Sequence, residues 1–371
     1  MPLVQNTLKR YFIPLTIYLV MVGIYVGYSV IADNFFLFKP VWDIKHYIDI
    51  SETGYEARPC TPDDYPPGRI CGNVGWYPAW PIAIKIFRPL LGGSSHVTFI
   101  ALAFAFTLAG FLLLFRFIQQ RHNTGQATLT LLAAAFGPAS FYFLSGFPYA
   151  LFLLLLMLYF FLLYASSDRS REIGLFLVAI AISAAYPTGI LVAVVPAVWF
   201  IFSRRERAPS VSSVAYWATL ARYVVPFALG VLLLWMYFYF KFDNFFIQLD
   251  FQEKYQRTQA IPFVVMYKSL VNYPVFSPEN AVIIWYGLAF VLFLPFRLKH
   301  ELLVLGLLLF LFSPATGTTM SIYRHYLIVL PAYMVIGTSD RPLWLKILFI
   351  AFGLILSLTV LFPTFMASRL I

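Results

Sequence analysis

The chain has 371 residues, of which 61% are hydrophobic and only 11% charged, with a mean hydropathy of +0.80. Soluble domains carry about a quarter charged residues, so this composition excludes a soluble core and points to an all-α polytopic membrane protein. The formal net charge of +10 reads as loop cations that orient helices, not as a nucleic-acid surface.

Apolar runs and their polar breaks predict about eleven spans. The first, Tyr11 to Ile31, follows Lys9 and Arg10, has no small-residue cleavage site and reads as a signal anchor. A polar segment, 32–95, comes next. Further spans are expected near 97–117, 127–144 and 148–165. Two shorter segments near 173–186 and 189–202 hinge at Tyr186-Pro187-Thr188-Gly189. A span near 216–240 leads into a second polar segment, 241–278, and spans near 280–296, 301–315, 322–338 and 343–361 complete the chain.

Charge gives the orientation. With the N-terminus inside, the inner loops hold Lys9, Arg10, Arg116, Arg121, Arg169, Arg171, Arg204, Arg205, Arg207, Arg222, Arg297, Lys299, Arg341 and Lys346. Their acids are Asp168, Glu172, Glu206, Glu301 and Asp340. Both long polar segments then lie outside, as the positive-inside rule requires.

Within the first outer segment, Trp42 to Thr53 lacks Pro and Gly and stops at Gly54, which predicts a surface-lying amphipathic helix. Asp43, His46, Tyr47 and Ile50 share one face, while Lys45, Asp49 and Glu52 point elsewhere. Such acids do not converge into a metal cage, so neither a metal nor a cofactor is expected. Asp43 reads in two ways: as a carboxylate that only ends the helix, or as a general base at its positive end. Cys60 and Cys71 leave two states open, a disulfide closing a short loop in an oxidising compartment, or two thiols. Asp63, Asp64, Tyr65, Pro66 and Pro67 lead to Gly75-Trp76-Tyr77-Pro78-Ala79-Trp80-Pro81, a stiff aromatic stretch whose flat faces suit a sugar ring, a polyprenyl chain or the membrane interface.

Lys241 to Arg257 mixes Phe242, Phe245, Phe246 and Phe251 with charges, and reads as a surface helix that either covers the site or lies plainly at the interface. Arg324, in Ser321-Ile322-Tyr323-Arg324-His325-Tyr326, sits at the mouth of a helix. There it either snorkels to headgroups or holds a phosphate by paired hydrogen bonds.

Trp42-Asp43…His46-Tyr47…Gly54-Tyr55, followed by Trp76-Tyr77-Pro78…Pro81, resembles the signature of PIG-V-like mannosyltransferases. Pro187-Thr188-Gly189, Asp243 with Gln252, and Tyr323-Arg324-His325-Tyr326 before Pro331 resemble later elements of that family in order. Two departures are Tyr186, where the family often has arginine, and Phe147-Pro148-Tyr149-Ala150, which carries no acid.

The resemblance implies a GT-C glycosyltransferase fold, one integral-membrane domain over 1–371, and an extracytoplasmic active site. It implies inverting transfer of a sugar, usually mannose, from a polyprenyl- or dolichyl-phosphate donor to a glycan or glycolipid acceptor. Asp43 is then the base, and His46, Tyr47, Trp76, Tyr77, Arg324 and His325 bind substrate. Membrane lipid is the surrounding partner, in the plasma membrane of a prokaryote or the endoplasmic reticulum of a eukaryote. A flippase of lipid-linked sugars and a non-catalytic membrane subunit are the competing functions.

Overall fold

The computed structural model describes residues 2–61, 68–165, 169–203, 214–255, 257–294 and 298–369. Asp63, Asp64, Tyr65, Pro66, Pro67, Asp168, Arg204, Arg205, Glu206, Arg207 and Arg297 lie outside the described residues.

In chain order, α1 is Pro2–Ile31 and α2 Asp43–Thr53. A two-stranded antiparallel hairpin, β1 (Ala57–Pro59) and β2 (Ile70–Gly72), precedes α3 (Ala79–Phe87) and α4 (Ser95–Arg121). Then come α5 (Thr124–Phe136), α6 (Tyr149–Tyr164), α7 (Arg169–Ala185), α8 (Val194–Ser203), α9 (Val214–Phe242) and α10 (Ile247–Gln252). The chain continues with α11 (Pro262–Asn272), α12 (Pro278–Leu292), α13 (His300–Ala315), α14 (Ile322–Tyr326), α15 (Leu330–Thr338), α16 (Leu343–Leu356) and α17 (Phe362–Met366).

Among the described residues, four helices are long and apolar enough to cross a membrane: Tyr11–Ile31, Ser95–Arg121, Val214–Phe242 and Leu343–Met366. Shorter apolar helices accompany them at Tyr149–Tyr164, Pro187–Phe202, Pro278–Leu292 and His300–Ala315. This is the pattern of an integral membrane protein.

Two segments expected as single spans are broken. In 127–144, α5 stops before Gly137-Pro138, Ala139 takes φ 65°, and a short 3-10 turn, Ser140–Phe143, follows. In 322–338, α14 and α15 are separate, because Pro331 supplies no N–H to continue the ladder. The second polar segment is also more ordered than its composition suggests, since it contains α11.

The chain forms two compact units. One comprises Met1–Lys39, Leu102–Met157 and Ala260–Ile371. Its interior is aromatic and tied by hydroxyls. Tyr25 bonds to Ser140 at 2.7 Å and to Ser357 at 2.8 Å, beneath the rings of Phe141, Phe362 and Phe365. Helix α15 lies so close to α5 that a Cβ on Gly337 would stand 2.0 Å from Thr130 Oγ1, so only glycine fits there.

The other unit comprises Pro40–Ala101 and Leu158–Gln259. Helix α7 packs along α9, and α3 lies against both α2 and α7 with Trp80 and Ile84 fully buried.

Two of the cations that delimit spans also close helix ends. Arg171 is buried and donates through Nε to the Leu162 carbonyl at 2.6 Å and through Nη2 to Leu163 at 2.8 Å, closing the C-terminus of α6. Lys346, also buried, donates to the carbonyls of Gly337 (3.0 Å) and Ser339 (2.5 Å), closing α15. Each sets a positive charge on the negative end of a helix dipole.

Candidate active site

Helix α2 organises the candidate site. Its inward positions Ile44, Tyr47, Ile50 and Ser51 are buried, whereas Lys45, Glu52 and Thr53 are exposed. It ends where Gly54 takes φ 85° and donates its N–H to the Ile50 carbonyl at 3.1 Å.

Its beginning is unusual. The residue before the helix is Trp42, with φ 49° and ψ −125° and no side-chain capping bond. Asp43 is therefore the first residue of the helix and not its cap. It is half-buried and carries the only acidic side chain of the first turn, where the helix dipole favours an anion.

The residues after α2 deliver Trp76 to this helix. Asn73 is the hinge of that path. Its side chain accepts from the Glu56 N–H at 2.7 Å and donates to the Gly54 carbonyl at 3.2 Å, while its own N–H donates to the Glu56 carbonyl at 3.0 Å. The hairpin between pairs Ala57 with Gly72, Arg58 with Cys71 and Pro59 with Ile70. Cys60 and Cys71 are joined in a disulfide with Cα atoms 4.9 Å apart. The Tyr55 hydroxyl then donates to the Trp76 carbonyl at 2.8 Å. The outcome is a stack: the His46 and Trp76 rings lie 3.8 Å apart, tilted by 25°.

The second polar segment docks on the first. Phe251 of α10, 1% exposed, meets Trp76 edge to face at 5.4 Å. Gly75 makes that approach possible, because a Cβ there would lie 2.3 Å from the Phe251 ring. Lys241 donates to the Tyr55 carbonyl at 2.6 Å, and Arg69 pairs with Glu253 at 2.5 Å. The sequence does not single out Asn73, and it marks Tyr55, Gly75 and Lys241 only as members of their stretches, since each acts through a contact with residues remote in the chain.

An open groove of about 510 Å³ runs from the C-terminal half of α2, past Tyr55, Pro81, Ile82 and Lys85, to Ile180 and Ala184 of α7 and Leu233, Leu234 and Tyr237 of α9. Ile50, Ser51 and Gly54 are its α2 wall. They continue the face that begins with Asp43 and Tyr47, so the carboxylate stands about 10 Å along the axis from the groove's nearest α2 residue. The groove is mostly apolar, with Lys85 the charged residue in its lining. Burial pushes the Tyr77 hydroxyl up to about 12. Burial, then the neighbouring Tyr237 and Tyr77 hydroxyls, push Tyr55 well above the ordinary 10.

Of the sequence-predicted residues, Asp43, His46, Tyr47, Trp76 and Tyr77 therefore belong to one unit, and His46 and Trp76 touch. Arg324 and His325 belong to the other unit. There Ser321, at φ 62°, turns the chain into α14, Tyr323 stacks with Tyr142 at 6.0 Å, and the half-buried Arg324 guanidinium lies 5.5 Å from the Phe147 ring centroid.

No protein-family model matches the chain, and no curated protein does. Among solved structures the chain is similar to the Archaeoglobus fulgidus oligosaccharyltransferase tethered with an acceptor peptide containing the NVT sequon, with a TM-score of 0.49 and 10% identity. The alignment covers 98% of this chain and 55% of that one, so the chain spans about half the length of that transferase.

Proposed function

We propose that the chain is a membrane glycosyltransferase of the GT-C type, which moves a sugar from a polyprenyl-phosphate donor to a glycan or glycolipid acceptor at the extracytoplasmic face. One observation carries this reading. A half-buried carboxylate and an apolar groove share a face of a single amphipathic helix. The groove falls within the roughly 300–1,000 Å³ range of small-molecule sites. It runs beside α9, a helix fit to cross the membrane, and exposes Ile82 and Leu233. A lipid tail can therefore pass from it into the bilayer without leaving an apolar surface.

The chemistry follows from the chain's own groups. The acceptor oxygen attacks the anomeric carbon as the bond from that carbon to the phosphate oxygen breaks. Asp43 takes the acceptor proton, and the polyprenyl phosphate leaves with the electron pair. A phosphate is a good leaving group, so no acid is needed to protonate it. His46, half-exposed, offers a flat ring face on the helix face of the base for the apolar side of a sugar, and the buried Trp76 ring holds it in place from behind. Tyr47 is buried one turn along α2 from Asp43, and Tyr77 follows Trp76 in the same stretch. Arg324 and His325 belong to the other unit; the forked guanidinium of Arg324 suits a phosphate, and its assignment to the donor rests on the sequence resemblance alone. The resemblance of the first motif to PIG-V-like mannosyltransferases makes mannose the sugar to test first.

The test supplies the purified full chain with polyprenyl-phosphate mannose and a lipid extract and follows mannosylated product. Asp43→Asn keeps the shape and removes the base, so transfer should fall by about 10²–10⁴-fold. Equal product from both proteins rules out Asp43 as the base. No product from either, with several sugar donors, sinks the transferase reading in favour of transport or a subunit role.

A further inference from the structure

Helix α2 has a second face. Lys45, Ile48 and Glu52 point away from the Asp43 side and line a separate cavity of about 460 Å³, whose far wall is Pro40 and the stretch from Gly93 to His96. That stretch opens α4, a helix of 27 residues. Ser94 serves two of the first N–H groups: its hydroxyl accepts from Val97 at 3.3 Å and its carbonyl from Thr98 at 3.0 Å. The N–H groups of Ser95 and His96 come earlier in the same turn, where a helix has no carbonyl of its own to offer them.

A second observation is independent of the helix end. Ser95 is 4% exposed and lines the cavity. Among the described residues its hydroxyl has no hydrogen-bond partner. Buried hydroxyls are rarely left so unless something outside the chain completes them. Lys45 and His96, both exposed, stand at the rim with donors of their own. Glu52 is the acid in the lining, and Arg88 at 4.0 Å offsets its charge.

We infer that the back of α2 and the first turn of α4 form a phosphate-binding site, held by Lys45, the Ser95 hydroxyl, His96 and the leading N–H groups of α4. A lysine ammonium, neutral side-chain donors and a helix N-terminus together match a tetrahedral anion. Two sources share this chemistry, the phosphodiester of a bilayer lipid and free phosphate. Because α4 is a membrane-crossing helix that begins at this cavity, a lipid headgroup can reach it from the bilayer surface. Occupancy would clamp the helix that bears Asp43 from behind. The inference does not depend on the transferase reading, and its test measures binding only.

The test uses the full chain in detergent. One arm records phosphatidylglycerol retained in native mass spectra; the other records the unfolding midpoint in inorganic phosphate against chloride at matched ionic strength. Wild type should respond in at least one arm, and Lys45→Ala/His96→Ala should weaken that response by about tenfold or more. Glu52→Gln should strengthen it, a change of sign that misfolding cannot mimic. A response to phosphatidylglycerol alone assigns the headgroup, and a response to inorganic phosphate alone assigns the free ion. No response in either arm, equal binding by the double variant, or weaker binding by Glu52→Gln would overturn the site.

Discussion

Gly75→Ala puts the docking of the second polar segment on the first to a direct test. The new Cβ would stand 2.3 Å from Phe251 Cε1 and 2.6 Å from Cδ1, where carbon atoms settle at about 3.5–4.0 Å. The ring cannot yield freely. It is 1% exposed and held edge-on by Trp76 at 5.4 Å and by Tyr255 at 6.0 Å. Overpacking of this kind costs about 1–3 kcal/mol. The loss of chain entropy in the unfolded state returns only about 0.4–1 kcal/mol, so the net effect is destabilising. At about 2–4 °C per kcal/mol for a domain of this size class, the unfolding midpoint should drop by several degrees. Phe251→Ala alone should cost about 3–5 kcal/mol. In that background the alanine at position 75 has room, so its cost should vanish and the double-mutant cycle should show coupling of at least ~1 kcal/mol. If Gly75→Ala leaves the midpoint unchanged, or costs the same with and without the Phe251 ring, the described contact is wrong.

Other outcomes follow from the same residues. Cys60→Ser/Cys71→Ser removes a cross-link over a sequence separation of 11 and should destabilise the hairpin by about 3 kcal/mol, read as faster hydrogen exchange at residues 57–72 than elsewhere in the chain. Arg69→Ala should shift stability by no more than about 1 kcal/mol, because its ion pair with Glu253 is largely solvated; a larger loss in thermal unfolding would show that the pair anchors α10. The Tyr77 phenol is held neutral by burial, its value rising from 10.0 to about 12. The unfolded chain ionises it near 10, so its contribution to stability is complete below that pH and is lost as pH rises through 12. The difference between the ultraviolet titrations of wild type and Tyr77→Phe should be one phenolate that ionises late, and a difference centred near 10 would refute the assignment.

Much of the helix map was legible because apolar runs and charges delimit spans. The first polar segment begins after Ile31 and closes at Ser95 as its composition suggests, and α2 ends at Gly54 for the reason its sequence suggests. The breaks inside apolar stretches were not legible. Leucine and phenylalanine fill α, 3-10 and π turns alike, so Ser357–Leu361 looks like ordinary helix in the sequence, and the 3-10 turn Pro187–Ala193 runs on past the hinge that Pro187 and Gly189 mark. Helix α11 was hidden by polar neighbours and by its short length. Within the candidate site, Asp43 and His46 could be placed on one face by counting. The stack of His46 on Trp76 could not, because it depends on Asn73 and Tyr55 folding the chain between them. Arg171 and Lys346 illustrate the same limit: a cation beside a helix end reads as a topology marker until the carbonyls it holds are seen.

The left-handed backbone of Trp42 has a consequence for evolvability as well as for shape. A bulky side chain in that conformation is held at a cost of about 1–3 kcal/mol, which glycine would not incur. Trp42→Gly should therefore relax the backbone while loosening the aim of the very next side chain. A freer joint with a wandering carboxylate is the trade such a bend sets up: the strained peptide keeps the neighbouring acid on its bearing before any partner arrives.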